Sequence, residues 1–214
     1  MDSTTTNDDQ LPVFTAMNQM LQLQSEAIIP TPYASFRMLA YADSTNDRMP
    51  HLALVHPDLD VREPVTVRIH SECITGDLFG SKRCDCGEQL EKALEVIAAE
   101  KGILLYLRQE GRGIGIINKL KAYQLQDAGL NTIEANLHLG LKVDARQYDV
   151  AIQILEQLSV HTIRLLTNNP EKIDAFNNSN IFIEARIPLV IPPKRENSDY
   201  LKTKREEMGH LLDL

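Results

Sequence analysis

The chain has 214 residues, of which 43% are hydrophobic and 24% charged, as expected of a globular protein with one large domain or two closely packed ones. Its formal net charge of −8 disfavours nonspecific binding to nucleic acid and to anionic membranes, so neither is an expected partner. No apolar stretch approaches the ~20 residues of a membrane span and the N-terminus carries no export signal, so we expect a cytoplasmic protein with reduced cysteines.

The N-terminal segment is polar and acidic and differs from the rest of the chain. We predict that residues 1–27 form a mobile extension, in which AMNQMLQLQ can form one short helix, and that the globular domain spans residues 28–214. The first predicted strands are HLALVH (51–56) and VTVRIH (65–70), because both are rich in β-branched residues and a Pro-Asp turn lies between them.

From residue 87 onward, helical and strand patterns alternate. GEQLEKALEVIAAEKG (87–102) repeats apolar residues at helical spacing and ends at a glycine. The elements predicted after it are the strand 103–108, a helix over 116–128, a helix through 150–158, the strand 162–167, a helix from Pro170 and the strand run 181–191. This alternation predicts an α/β fold, with a mixed sheet covered by helices on both faces in a single compact domain. The charged C-terminal segment KRENSDYLKTKREEMGHLLDL is predicted to be a solvated surface helix or a mobile tail.

The three cysteines of the chain fall within fourteen residues, as Cys73, Cys84 and Cys86. Three thiolates and one water complete a tetrahedral zinc site of the hydrolytic kind, whereas a structural site fills all four positions with protein ligands. Two alternatives stay open at this point. His70 is close enough in sequence to complete a closed Cys3His site, and the cysteines can also be three small buried apolar residues.

A glycine-containing segment, RQEGRGIG (108–115), follows a predicted strand and precedes a predicted helix. Backbone amides in such a loop can bind phosphate, but the glycine spacing matches neither the dinucleotide fingerprint nor the P-loop. Taken alone, the segment is better explained as a plain tight turn. Glu110 stands between Arg108 and Arg112, which puts an acceptor for a purine edge beside donors for phosphates.

Three further candidates are ambiguous in isolation. Asp144, in the segment Asp-Ala-Arg that ends at Arg146, is by default a helix N-cap and only secondarily a catalytic group. The segment TNNPEK, from Thr167 to Lys172, offers a phosphate site at the carboxyl edge of a sheet, or simply a capped strand-to-helix turn. Tyr123 can be half-buried packing or a phenol that faces a site.

Taken together, these motifs resemble GTP cyclohydrolase II of riboflavin biosynthesis. The resemblance is carried by RIHSEC from Arg68, RCDCG from Arg83 and RQEGRGIG from Arg108. It continues through Asn118-Lys119, Ala122-Tyr123, LQDAG, TIEAN, Asp144-Ala145-Arg146, RLLTNNP, YLKTK and MGHLL. It covers roughly residues 28–214 and leaves out the dihydroxybutanone-phosphate synthase domain that some relatives carry in front.

The resemblance implies an α/β homodimer that consumes GTP and water and releases formate, pyrophosphate and a diaminopyrimidinone ribosyl phosphate. Cys73, Cys84 and Cys86 would hold a zinc ion, and magnesium would accompany the triphosphate. Asp144 would be the proton acceptor, Arg146 the nucleophile toward the α-phosphorus, and Tyr123 a further catalytic residue. The residues implied to bind GTP are Arg68, Ile69, His70, Ser71, Glu72, Gln89, Glu110, Gly111, Arg112, Thr132, Thr167 and Lys172.

The chemistry of the residues agrees with two hydrolytic centres, a metal for the ring and cations for the phosphates. Arg68, Arg83, Arg112, Arg146 and Lys172 supply those cations. We hypothesise that Glu110 accepts from the guanine edge, since adenine would leave such a carboxylate unpaired. A guanidinium is protonated at any ordinary pH, so Arg146 is better suited to stabilising charge on a transferring phosphoryl group than to acting as a nucleophile.

Overall fold

The computed structural model describes residues 21–194, 197–206 and 209–211. Within these residues one sheet has seven strands: β1 (Gln22–Pro30), β2 (Ser35–Ala42), β3 (His51–Val55), β4 (Val65–Ser71), β5 (Ile103–Leu107), β6 (Thr162–Leu166) and β7 (Phe182–Ile187). Their order across the sheet is β1-β2-β3-β5-β4-β6-β7. The pairs from β1 to β5 are antiparallel and those among β5, β4, β6 and β7 are parallel, so the predicted mixed sheet is confirmed.

Helices connect the parallel strands, and one more helix follows the last strand. They are α1 (Ile74–Asp77), α2 (Cys86–Ala99), a 3-10 turn (Glu110–Gly113), α3 (Gly115–Asp127), α4 (Thr132–His138), α5 (Asp149–Gln157), α6 (Pro170–Asp174) and α7 (Ser198–Glu206). The predicted helices over 87–102, 116–128 and 150–158 correspond to α2, α3 and α5. In the described part of the chain, no helix is both long enough and apolar enough to cross a membrane.

Apolar side chains fill both faces of the sheet. On one face Leu105 of β5 belongs to a core that includes Ile154 and Leu155 of α5. On the other face the adjacent Leu104 belongs to a core that includes Ile97 of α2. Because β5 is buried on both sides, its sequence ILLYL is a nearly continuous apolar run. The prediction of helices on both faces is therefore confirmed.

The predicted boundary at residue 28 falls inside strand β1. This strand pairs antiparallel with β2, from Gln22 opposite Ala42 to Pro30 opposite Ser35. The prediction of a mobile extension is therefore wrong for residues 22–27, and a helix over AMNQMLQLQ is wrong for its last three residues. The pattern misled because β1 is mostly exposed and is held by backbone hydrogen bonds to β2. Residues 1–20 of the predicted extension lie outside the described residues.

The parallel strands bring the sequence motifs to one edge of the sheet. The cysteine segment follows β4, the glycine segment follows β5, and TNNPEK follows β6. Since the carboxyl ends of parallel strands lie side by side, loops more than ninety residues apart in sequence converge there. This is the edge at which open α/β sheets bind ligands.

Candidate active site

A cavity of about 530 Å³ lies at this edge of the sheet. Fifteen of the eighteen site residues predicted from the sequence line it: Arg68, His70, Ser71, Glu72, Cys73, Cys84, Cys86, Gln89, Gly111, Arg112, Tyr123, Thr132, Arg146, Thr167 and Lys172. Ile69, Glu110 and Asp144 do not. The side chain of Ile69 is fully buried in the sheet core, and its carbonyl accepts from Lys172 Nζ at 2.7 Å. Its expected role in binding substrate is therefore not favoured.

The three cysteines form a compact cluster. Cys73 follows β4, while Cys84 and Cys86 stand at the start of α2. Their Sγ atoms all lie within 4.8 Å of one another, and those of Cys73 and Cys84 are 3.6 Å apart. Zinc–sulfur bonds in a tetrahedral site place neighbouring sulfurs about 3.8 Å apart. The cluster therefore fits a metal ion, and it opens on the cavity.

Two glycines allow this convergence. A Cβ on Gly76 would lie 2.9 Å from Cys84 Sγ and 3.3 Å from Cys73 Sγ, and a Cβ on Gly87 would lie 2.5 Å from the Gly76 carbonyl oxygen. The backbones of helices α1 and α2 are therefore in direct contact at Gly76 and Gly87. The thiols pack against Gly76, which has no side chain. Any larger residue at position 76 would push on the cluster.

His70 does not complete a closed Cys3His site. Among the described residues the candidate metal group contains the three cysteines alone. His70 Nε2 instead lies 3.0 Å from Asp77 Oδ1, and burial lowers the pKa of His70 below its ordinary value. Asp77 also accepts from the Cys73 backbone N–H and the Tyr106 hydroxyl, each at 2.9 Å. The imidazole is thus part of the scaffold that holds the end of β4.

The environment of the cluster favours the anionic form of one of the three thiols, that of Cys73. Hydrogen bonds from Cys84 and Cys86 hold the pKa of Cys73 far below its ordinary value, and Lys119 contributes in the same direction. Lys119 Nζ lies 3.1 Å from Cys73 Sγ. The hydrogen bond to Cys73 raises the pKa of Cys84 to about 11. The cluster therefore keeps one thiolate beside an ammonium group, ready to exchange its remaining protons for a divalent cation.

Glu110 supports this cluster and does not face the cavity. Its Oε1 accepts from Lys119 Nζ at 2.7 Å and from the Gly111 N–H at 2.8 Å, while its Oε2 accepts from the Ile74 N–H at 2.6 Å. Both oxygens are thus engaged by donors that fix the turn after Cys73. This geometry does not favour the hypothesis that Glu110 reads the guanine edge.

Two buried cations also line the cavity. Arg68 donates to the Leu166 carbonyl at 3.0 Å and to Gln89 Oε1 at 2.8 Å, and burial lowers its pKa to about 10. Burial also lowers the pKa of Lys172 well below its ordinary value, and the nearby Arg68 and Arg146 lower it further. Burying like charges side by side is unfavourable unless an anion joins them. The part of the cavity lined by these two cations is therefore suited to phosphate.

The glycine segment and the Asp144 segment form one structural unit. Arg112 has a φ of 62°, a left-handed conformation that costs a non-glycine residue about 1–2 kcal/mol. Its carbonyl accepts from the Ala145 N–H at 3.0 Å, and a Cβ on Gly113 would lie 3.1 Å from the Ala145 carbonyl oxygen. The segment is therefore more than a plain tight turn. The Asp144 loop holds Arg112 in a strained conformation in which its side chain lines the cavity.

Asp144 is not a helix N-cap, because α5 begins after Tyr148. Its carboxylate instead holds Arg146, whose Nε lies 2.9 and 3.0 Å from the two carboxylate oxygens and whose Nη2 also donates to it. Burial alone would raise the pKa of Asp144, but the hydrogen bonds from Arg146 outweigh it and the pKa lies below its ordinary value. Asp144 is therefore a weak base that orients a guanidinium.

Tyr123 and Thr132 line the cavity as predicted. The Arg83 guanidinium lies over the Tyr123 ring, 4.8 Å from its centroid, and burial raises the pKa of Tyr123 to about 12. The phenol thus stays protonated and can donate. Thr132 opens α4 directly after Asn131, whose side chain caps that helix.

Sequence reasoning missed the part of the site that comes from the C-terminal segment. Thr203, Lys204 and His210 line the cavity, and Leu201 is only 1% exposed. The predicted surface helix is present as α7, with Lys202 and Arg205 exposed, but its other side is buried at the cavity and is not solvated. The motifs YLKTK and MGHLL contain these residues and could have identified them. The high charge of the segment instead favoured a solvent-exposed position.

Comparison with known proteins agrees with the motifs. A family model described as GTP cyclohydrolase II matches residues 22–188. The riboflavin biosynthesis protein RibBA of Bacillus mycoides is 52% identical over 190 residues, which are 88% of this chain and 48% of the relative. RibBA of Chlorobium phaeovibrioides is 50% identical over 196 residues, 91% of this chain and 48% of the relative. The chain thus spans about half the length of these curated relatives.

One solved structure is also similar, the two-domain 3,4-dihydroxy-2-butanone 4-phosphate synthase RibBX of A. baumannii. It is 22% identical, with a TM-score of 0.42, and the match covers 79% of this chain and 41% of that one. A TM-score this low does not establish a shared fold.

Proposed function

The chain belongs to the GTP cyclohydrolase II family, and from that premise we propose that it hydrolyses GTP, opens the imidazole ring and releases formate and pyrophosphate. The remaining product would be a diaminopyrimidinone ribosyl phosphate, formed in the first step of riboflavin biosynthesis, the process named in its relatives. One observation carries the proposal: a single cavity joins the cysteine cluster to a group of buried cations. Ring opening and phosphate cleavage need those two kinds of centre on one substrate.

The cavity is suited to a nucleotide triphosphate in size and charge. Its volume of about 530 Å³ falls within the range of small-molecule sites. Arg68 and Lys172 stand where they can meet phosphate oxygens, and Arg112 and Arg146 line the same space. We propose that Mg²⁺ accompanies the triphosphate, since that ion normally binds through substrate phosphates and few protein ligands.

For the ring-opening half, we propose that Cys73, Cys84 and Cys86 hold zinc. Zinc in such a site supplies a Lewis acid that makes water a competent nucleophile near neutral pH. Tyr123 lines the same cavity as the cysteines, and its phenol stays protonated. It can therefore donate a proton to a ring nitrogen as the C–N bond breaks.

For the phosphate half, we propose that Arg146 stabilises the charge on the transferring phosphoryl group and that Asp144 positions it. The pairing of the Arg146 guanidinium with both carboxylate oxygens supports this assignment. A permanently charged guanidinium is a poor nucleophile, and a carboxylate engaged in this way is a poor proton acceptor. Trapping a covalent nucleotide on Arg146 would contradict the assignment.

The test is to incubate zinc-replete protein with GTP and to measure formate, pyrophosphate and the pyrimidine chromophore. We expect formate and pyrophosphate together, and loss of formate alone in Cys84→Ser, which should not retain zinc. A closed zinc-binding module without turnover predicts neither product. Formate release at the wild-type rate by Cys84→Ser would show that the cysteine cluster is not the ring-opening centre.

We further propose a homodimer, as the family resemblance implies, and a cytoplasmic location, as the three free cysteines indicate. The exposed side chains of Phe79 and Ile117, 74% and 70% accessible, support the first, because a partner subunit could cover them. Light scattering of the purified protein measures the oligomeric state, and a monomer at micromolar concentration would contradict the proposal.

A further inference from the structure

Helix α7 is anchored on the rim of the cavity. Leu201 is 1% exposed, and Lys204 is 9% exposed although it carries a charge. Lys204 Nζ lies 3.1 Å from Asp85 Oδ1, in the loop between Cys84 and Cys86. The same lysine lines the cavity, together with Thr203. Lysine is rarely this buried unless it is paired, so the position of Lys204 at the cavity suggests a role there.

The chain beyond α7 returns to the same place. The His210 N–H donates to the Lys204 carbonyl at 3.0 Å, and the Leu211 N–H donates to the Asn168 carbonyl at 2.9 Å. Asn168 belongs to the loop that follows β6 and precedes α6. Backbone hydrogen bonds therefore hold this part of the C-terminal segment against the loop that carries Asn168, and the side chains of Asn168 and His210 both line the cavity.

Positive charge accumulates around His210. Burial lowers its pKa to about 3, and the charges of Lys204, Arg146, Lys172 and Arg112 act in the same direction. These four cations come from α7, the Asp144 loop, α6 and the glycine segment, and all of them line the cavity. Asp85 pairs with Lys204, Asp144 pairs with Arg146, and Glu171 lies 3.7 Å from Arg146, so carboxylates hold two of the four cations in place at the cavity. A convergence of four cations at one cavity favours the binding of an anion there.

We propose that Lys204 and His210 are phosphate-binding residues, so that the C-terminal segment supplies donors to the substrate's polyphosphate in addition to Arg68 and Lys172. The identity of that substrate rests on the proposed function, whereas the anion site itself rests on the geometry. Lys204 would contribute a charge-assisted hydrogen bond and His210 a neutral imidazole N–H.

Calorimetric titration with inorganic tripolyphosphate tests this without using turnover. We expect Lys204→Met to weaken binding roughly ten- to a hundredfold, as for loss of a charged hydrogen bond, and His210→Gln to weaken it by about two- to tenfold. Lys204→Arg keeps the charge and should bind within a fewfold of wild type. The matched control is Lys202→Met on the exposed face of the same helix, which should bind as wild type does.

Tripolyphosphate affinity unchanged in both Lys204→Met and His210→Gln would overturn the proposal, and so would an equal loss in Lys202→Met. If Lys204→Met does not fold, because Asp85 has lost this partner, the affinity of His210→Gln decides the question. Thermal unfolding of His210→Gln is measured first to show that this variant is folded. Wild-type turnover separates the two proposals. If wild type releases no formate but the variants bind tripolyphosphate more weakly, the proposed function is rejected and this site is supported. If wild type releases formate and the variants bind tripolyphosphate as wild type does, the function is supported and this site is rejected.

Discussion

Replacing Gly76 by alanine should damage the cysteine cluster while sparing the rest of the fold. The added Cβ would lie 2.9 Å from Cys84 Sγ, 3.0 Å from Cys86 Cβ and 3.3 Å from Cys73 Sγ. Nonbonded contacts between such atoms normally start at about 3.5 Å, so the cysteines must retreat by roughly half an ångström. Metal sites tolerate ligand displacements of about 0.2 Å. We therefore expect zinc affinity to fall at least about 10- to 100-fold, or about 1.4 to 2.8 kcal/mol.

The assay is competition for zinc between the protein and a chromophoric chelator, with thermal unfolding recorded on the metal-free form. Gly80→Ala is the matched control, because it lies just after α1 and has nothing within 4 Å of its added Cβ. Its φ of 61° predicts a loss of about 1–2 kcal/mol in folding stability but no loss of zinc affinity. Zinc binding by Gly76→Ala at wild-type affinity would refute the reasoning.

Three further predictions concern single groups. Lys119→Met removes the ammonium beside Cys73, and we expect a shift to longer wavelength of the thiolate charge-transfer band in the cobalt-substituted protein; an unshifted band would contradict this. Asp144→Asn should lower the rate of pyrophosphate release about 10²- to 10³-fold, because Arg146 would no longer be held in position. A pyrophosphate assay measures this rate, and metal analysis should show an unchanged zinc content. Because the pKa of His210 is lowered in the folded state, its contribution to stability is present above the ordinary histidine pKa of about 6.5 and is lost as pH falls toward 3. Chemical unfolding should therefore show a weaker acid dependence over this window in His210→Gln than in wild type.

The elements that the sequence predicted correctly are those with a strong apolar pattern. Strand β5, buried on both faces, and helix α2, with its apolar stripe, were both placed to within a few residues. Strand β1 escaped because it is largely exposed and polar, and its conformation comes from pairing with β2, a partner that periodicity cannot reveal. Strand β2 was missed as well, although Phe36 and Leu39 are fully buried in it.

The site was predicted as a set of separate motifs, each with an ordinary alternative, and their convergence was visible only in three dimensions. The glycine segment alone is a weak signal, but its hydrogen bond from Ala145 joins it to the Asp144 loop. The role of Glu110 could not be read from its neighbours Arg108 and Arg112, because its partners are Lys119 and the backbone after Cys73. Sequence fixes which groups are available, and long-range packing decides which of them are already engaged.

The charge distribution gives a last reason to expect substrate recognition at short range. The chain carries −8 overall, yet seven arginines and lysines line one cavity. Arg83 and Lys119 are neighbours of Cys84 and Cys73, and the other five are Arg68, Arg112, Arg146, Lys172 and Lys204. At physiological ionic strength, fields decay over about 8 Å, so a polyanion outside the cavity meets an acidic protein and gains little from steering. Inside it, buried donors replace the water of the phosphates with direct hydrogen bonds. The affinity for tripolyphosphate should then depend less on salt concentration than expected for a site with five exposed cations, because buried ion pairs are poorly screened. A steep salt dependence would instead mean that these cations are solvated.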